Sequence, residues 1–241
     1  MLTKIRGIVL HHIKYKESSA IVHMYTDLYG RQAFIINNVM GKRGGHRSNL
    51  LQPLFVLEME VYYKPERELH RVRVVCHIIP FRTIPYDIKK SAQAMFIAEI
   101  LFRSLREEEP DPKLFDFLVH SIQWLDTSEK NYASFHLFFL VQLTKYLGFY
   151  PDNNYSATNK LFDLRNGQFT GIENIHTDIM GEDESKAFHG ILKKTFSDLS
   201  DMRIEYPVKQ HLIDSLLDYY RLHIHGFGIA KSAGVLKEIF G

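Results

Sequence analysis

The stretch Phe55-Val-Leu-Glu-Met-Glu-Val-Tyr-Tyr63 decides the fold. Phe55, Leu57, Met59, Val61 and Tyr63 alternate with Val56, Glu58, Glu60 and Tyr62, and a period of two places the first set on one face of an extended strand and the second on the other. One face reads as core and the other as wet. The next segment has a similar rhythm: Leu69, Arg71, Arg73 and Val75 would share one face and His70, Val72, Val74 and Cys76 the other. Two arginines then project together, as candidates for phosphate contact, and Cys76 counts as a buried small hydrophobe rather than a nucleophile.

Working outward, further short apolar or alternating segments lie near 5–14, 19–27 and 31–38, so that with 54–63 and 68–78 five strands precede Pro80. One long connection, Val39 to Asn49, stands before the fourth and carries Lys42, Arg43 and Arg47 among glycines. This pattern suits a small closed barrel such as an OB-fold, and an SH3-like barrel would read similarly. Beyond Pro80 and Pro85 the apolar period becomes that of helices, near 86–108, 112–127, 131–147, 183–197, 207–225 and 229–239. Residues 149–180 interrupt it, and Asn166-Gly167 between short alternating flanks marks a hairpin over 162–169. The expectation is an α+β chain: an N-terminal OB-fold barrel over 1–81, then a helical domain over 82–241 with a hairpin knuckle inserted at about 149–180.

Charge divides along the same line. Residues 1–80 hold 12 Lys/Arg against 6 Asp/Glu, whereas 81–241 hold 18 against 22. A basic first part tied to a mildly acidic remainder points to a polyanion partner for the barrel. The candidate surface is Lys4, Arg6, Arg31, Lys42, Arg43, Arg47, Arg71 and Arg73, with Tyr15, Tyr29, Phe34, Tyr62 and Tyr63 as aromatic neighbours on which bases would stack; Phe34 and Tyr63 read better as core.

Several chemistries are excluded. Gly226-Phe-Gly-Ile-Ala-Lys-Ser232 lacks the glycine before lysine that a phosphate-binding loop requires. His11-His12 and His223-x-His225 have neither helical i, i+4 spacing nor acidic or thiolate companions, so no metal site is read. The single cysteine rules out a disulfide framework, and the six carboxylates of the basic part form no pair suited to metal-dependent cleavage. No apolar run reaches the roughly 18 residues that would span a bilayer, and the start has no apolar signal core. A cytoplasmic binding protein without membrane contact, not an enzyme, is therefore expected; an adaptor for protein partners is the reading from another class.

Gly7-Ile-Val-Leu10, Tyr15-Lys-Glu-Ser18 and Thr26-Asp-Leu-Tyr-Gly30, in this order and spacing, resemble the opening of RecO proteins. The likeness continues through the basic Gly41-Lys-Arg43 loop to Ser48, Leu51-Gln-Pro-Leu54 and Leu57-Glu-Met-Glu-Val-Tyr62, and it reaches Leu147-Gly-Phe-Tyr-Pro151, Lys231-Ser232 and Val235-Leu236. The resemblance implies a bacterial, nucleoid-associated mediator of DNA repair and recombination. Such a protein binds single- and double-stranded DNA, anneals strands coated by single-strand-binding protein, and helps load recombinase with RecR. It also implies that the helical domain takes up the acidic C-terminal tail of single-strand-binding protein, for which Arg221, Lys231 and Lys209 are candidate cations. Two departures stand out. The family's insertion holds zinc through four cysteines in many members, but 149–180 contains none, so no zinc or other cofactor is expected. Met40 occupies the position of the family's lysine before the basic loop.

Overall fold

The alternating segments become β1 (Leu2–Tyr15), β2 (Ser19–Thr26), β3 (Gly30–Ile36), β4 (Val56–Tyr62) and β5 (Leu69–His77). They are seen in a computed structural model that describes residues 2–39, 48–106, 109–172 and 176–240. The strands close into a barrel in the order β1-β2-β3-β5-β4, an OB-like topology. β1 is long enough to serve both neighbours: Gly7 lies opposite Thr26 of β2 and opposite Leu57 of β4. β3 and β5 run parallel, and every other pair is antiparallel. Closure leaves no open sheet edge on the barrel.

The alternation read in β4 is the alternation of the core. Leu57, Met59 and Val61 are buried among Ile5, Val22, Met24 and Phe34, while Glu58 and Glu60 face outward. β5 departs from the sequence reading. Glu60 pairs with Val74 but the adjacent Val61 pairs with Val72, so Arg73 is an extra residue, a bulge that reverses the alternation beyond it. Val72 and Val75, rather than Val72 and Val74, pack against the core. Val74 and Cys76 are exposed, which corrects the reading of Cys76 as a buried residue.

The chain divides into two compact units, Met1–Thr127 and Ser128–Gly241. The period changes near residue 82, but the two helices that follow, α1 (Ile88–Ser104) and α2 (Pro112–Thr127), belong to the same unit as the barrel. Asp87 caps α1 by accepting from Lys89 N and Lys90 N. The segment before it is pinned by Asp126 near the end of α2: its carboxylate accepts from the backbone amides of Arg82, Thr83 and Ile84 at 2.8, 2.9 and 2.9 Å. Lys90, also buried, donates to Thr83 Oγ1 at 2.6 Å and to Asp126 O at 3.0 Å.

The second unit is built on α3 (Phe135–Leu147), buried without interruption from Phe135 to Thr144 and ended by Gly148 in the left-handed region. The hairpin read at Asn166-Gly167 is β6 (Leu161–Asp163) and β7 (Gln168–Thr170), followed by α4 (Glu182–Leu192), α5 (Tyr206–His223) and α6 (Ser232–Phe240). The helix expected over 183–197 stops at Leu192, because Thr195 and Asp198 form a capping box that opens a separate 3-10 turn, Phe196–Asp201. In the cysteine-free knuckle, Phe162 and Phe169 pack with Phe188 of α4, edge to face or tilted, within 6.3 Å of one another. Asp163 organises the turn by accepting from Arg165 N and from the amide and side chain of Asn166.

Candidate nucleic-acid interface

The cations expected on the barrel occupy three distinct settings. On the outer face of β1, β4 and β5 most are matched to carboxylates. Lys4 Nζ lies 2.7 Å from Glu58, Arg73 Nη1 3.4 Å from Glu60, and Arg6 Nε 2.9 Å from Asp27. The hydrogen bond and charge of Glu58 hold the Lys4 ammonium above its ordinary pKa. Arg6 also stands 5.0 Å over the Phe115 ring of α2. Exposed pairs of this kind contribute little stability, but each carboxylate offsets a charge otherwise available to phosphate.

Arg31 is placed differently. Its Nη1 donates to the carbonyls of Phe102 at 2.9 Å and Leu105 at 2.7 Å, and its guanidinium lies 4.4 Å over the Phe102 ring. These are acceptors at the C-terminal end of α1, where the helix leaves carbonyls unpaired and the dipole favours a cation. Phe102 also packs 4.8 Å from the His11 ring and 5.3 Å from His23. Burial lowers the pKa of both histidines; the Arg31 charge adds to the effect, second to burial at His23 and in a smaller way at His11. Arg31 thus joins α1 to the outer face of β2 and β3.

Arg71 is the third case. It is exposed, opposite Ile35 of β3 and Tyr62 of β4, and takes part in none of the ion pairs among the described residues. Register extends its row across the barrel, since Ile35 lies opposite Ile21, and Ile21 opposite Ile13. Lys42, Arg43 and Arg47 lie outside the described residues, as does Met40. The residue before them, Val39, is bonded through its amide to Ser18 O in the β1–β2 turn.

The aromatic candidates divide between inside and outside. Phe34 is fully buried, while Tyr29 and Tyr63 stack on each other at 3.6 Å with Tyr63 against His70. His70 itself is buried and bonded to Gln32 at 3.1 Å. Tyr15 and Tyr62 are open to solvent, 37% and 50% exposed. Lys16 was absent from the sequence-predicted set, yet its ammonium stands 5.3 Å from the Tyr15 ring. Its position in a tight turn beside an exposed tyrosine was the available signal.

In the second unit, two of the three cations expected for a partner tail lie far apart on one helix. Lys209 and Arg221 are twelve residues apart on α5, about 18 Å along its axis. Lys209 is buried with its ammonium 5.7 Å from the Phe240 ring. Arg221 pairs with Asp218 and donates to Gly228 O, and Lys231 is exposed just before α6. None of the three lines the groove of about 490 Å³ between α4 and residues 201–208, where Lys186, Lys194 and Arg203 are matched in number by Asp183, Asp201 and Glu205 around Ile191, Met202 and Val208. Among the described residues no three His, Cys, Asp or Glu side chains gather to hold a metal ion, and no helix is long and apolar enough to cross a membrane.

Comparison with known proteins adds to this geometry. Residues 1–81 match the family model described as Recombination protein O N terminal, and residues 85–232 match Recombination protein O C terminal. The chain is 39% identical over 241 residues to the DNA repair protein RecO of Bacteroides fragilis, 35% over 240 residues to that of Phocaeicola vulgatus, and 34% over 241 residues to that of Flavobacterium psychrophilum. In each case both chains are covered in full. With an OB-like barrel under the first model, a helical region under the second, and relatives matched from end to end, the chain belongs to the RecO family.

Proposed function

We propose that this chain is a DNA repair and recombination mediator that binds single- and double-stranded DNA through its barrel, anneals complementary strands coated by single-strand-binding protein, and helps load recombinase together with RecR. The observation that carries the reading is Arg71: an exposed cation outside every ion pair among the described residues, beside the open ring of Tyr62, on a barrel whose chain runs from Val39 directly into the basic stretch at Lys42, Arg43 and Arg47. Cations screen the repulsion between two phosphate backbones, base pairing supplies the free energy of annealing, and the released counterions make binding salt-dependent. No bond is made or broken, so the function is mediation rather than catalysis, exercised in the cytoplasm on the nucleoid without cofactor.

The acidic tail of single-strand-binding protein requires apolar walls and a cation for its terminal carboxylate. Arg221, Lys231 and Lys209 are the candidate cations for that carboxylate; the groove between α4 and residues 201–208 places Lys186, Lys194 and Arg203 beside Ile191 and Met202, but Asp183, Asp201 and Glu205 line it too and offset their charge.

The deciding experiment is fluorescence-monitored annealing of complementary strands precoated with single-strand-binding protein, over a salt series and without nucleotide or metal. Acceleration that declines with salt supports the mediator. A chain that neither accelerates annealing nor binds DNA at low salt is a protein adaptor instead.

A further inference from the structure

The last turn of α1 rests on three side chains that all carry positive charge once protonated. His11 of β1 and His23 of β2 stand directly opposite each other in the sheet, and Arg31 of β3 faces Tyr25, two residues beyond His23 on β2. The Phe102 ring covers all three, 4.8 Å from the His11 ring, 5.3 Å from the His23 ring and 4.4 Å from the Arg31 guanidinium. While both imidazoles are neutral they are aromatic neighbours of Phe102, and Arg31 is the one fixed charge of the three.

Protonation reverses that balance. An imidazolium at either position lies beside Arg31 and opposite a second histidine, and like charges at facing strand positions repel. Among the described residues, the other charged or titratable groups that face the pair are His12 of β1 and Glu99, Arg103 and Arg106 of α1 and the residues after it. Glu99 favours a charged His11, but its Oε1 already accepts from Arg103 Nε at 2.9 Å and Nη2 at 2.7 Å, and Arg106 adds positive charge beside Arg31. The helix-end carbonyls, which would stabilise a cation, are occupied by Arg31 through its bonds to Phe102 O and Leu105 O. The opposite end of α1 is held differently. There Asp126 binds the amides of residues 82–84, and its carboxyl lies below the ordinary range, so it stays ionised across roughly pH 5–8.

We propose that His11, His23 and Arg31 form a proton-operated latch for the last turn of α1 and its cap, Phe102 to Leu105: closed while both imidazoles are neutral, released as they take up protons, with the start of the helix as a fixed pivot. The latch needs no bound ligand and does not depend on the DNA-binding reading. Burial lowers both pKa values in the closed state, reinforced by His12 and Arg31 at His11 and by Arg31 at His23, so the open turn binds protons that the closed turn does not. The latch is therefore complete above about pH 7 and weakens as pH falls through the free histidine value near 6.5. Each histidine raises the ratio of open to closed by up to about tenfold per pH unit. His23 contributes more, because His11 is the more exposed of the two.

The test is hydrogen–deuterium exchange of the full chain at about pH 7.5 and about pH 5.5, corrected for the intrinsic change of exchange rate. The expected result is a fall in protection of the amides of residues 102–105 by up to about a hundredfold, roughly tenfold for each histidine, with protection of residues 91–94 unchanged. In the His11→Gln/His23→Gln double variant the protection at residues 102–105 should persist at the lower pH, and His23→Gln alone should preserve more of it than His11→Gln alone. Protection that falls equally at both ends of α1, that does not fall at all, or that falls as far in the double variant as in the wild type overturns the latch. Should the glutamines disturb the barrel, the histidine ring protons of the wild-type chain decide by NMR titration: a His23 midpoint below 6.5 supports the latch, and a midpoint at or above that value overturns it.

Discussion

Asp126 Oδ1 accepts the Ile84 amide at 2.9 Å, across 42 positions of sequence, and by this bond the end of α2 fixes the segment that leaves the barrel. Burial alone would raise the pKa of this carboxyl, but donation from the amides of Arg82, Ile84 and Thr83 outweighs it and holds the group below the ordinary carboxylate range. Asp126→Ala removes three bonds from backbone amides and a fourth from Thr83 Oγ1 and leaves Lys90 buried beside the vacancy, so a loss of about 3 kcal/mol is expected in urea unfolding. Because the folded pKa is depressed, the contribution is complete above the unfolded value near 3.9 and is lost as pH falls below it. The stability gap between wild type and Asp126→Asn should therefore narrow below about pH 4; a gap constant with pH would contradict the assignment.

His136 predicts acid sensitivity of another origin. It is fully buried on α3, and burial, aided by the nearby Lys209 charge, lowers its pKa to about 3. An unfolded histidine takes up its proton near pH 6.5, so below that pH the unfolded state binds the extra proton and the folded state does not. Stability is unaffected above about pH 7 and declines by about 1.4 kcal/mol per pH unit as the pH drops through 6 and 5. Thermal unfolding of His136→Gln should show a shallower slope between pH 6.5 and 5, the remainder belonging to other histidines whose pKa burial lowers, such as His11 and His23, and an unchanged slope would locate the titration elsewhere.

The guanidinium of Arg31 is expected to matter for stability in its own right. Arg31→Met removes two bonds to the end of α1 and the contact with Phe102, a loss of about 1–3 kcal/mol. Arg31→Lys keeps the charge but not the planar fork and should recover less than half of it. Guanidinium chloride titrations of the three proteins decide the matter, and equal midpoints for arginine and methionine would show the bonds to be without consequence.

Two glycines of the second unit should respond with opposite signs. A Cβ on Gly171 would lie 2.0 Å from Thr158 O, so Gly171→Ala must displace backbone in the knuckle and lower the melting temperature. Gly190 is inside α4 with nothing within 4 Å of an added Cβ, and Gly190→Ala should stabilise by about 0.5–1 kcal/mol. Calorimetry of both variants that shifts them in the same direction would refute the local packing described for one of the two.

The sequence is legible where one residue's environment repeats at a fixed period. Leu57, Met59 and Val61 identify β4 and its inner face without reference to anything distant, and Asn166-Gly167 marks the β6–β7 turn for the same reason. What a single sequence conceals is register. The bulge at Arg73 depends on how β5 meets β4, and no residue near it announces an inserted position. The pairing of Lys4 with Glu58, the covering of Arg31 by Phe102 and the row from Ile13 to Tyr62 all join residues from different strands or from a helix far along the chain. A list of basic residues therefore names the surface but not which cations stay uncompensated: Arg71 and Arg73 look equivalent in sequence, and only the second faces a carboxylate.

The same bulge has a practical outcome for anyone handling the molecule. By turning Cys76 outward it gives the chain its one thiol on the barrel surface, with the sulfur 3.8 Å from the Glu58 carbonyl. A maleimide dye or spin label placed there needs no cysteine removed elsewhere and displaces nothing from the core, so the native sequence already contains a reporter position from which distances to a bound strand can be read.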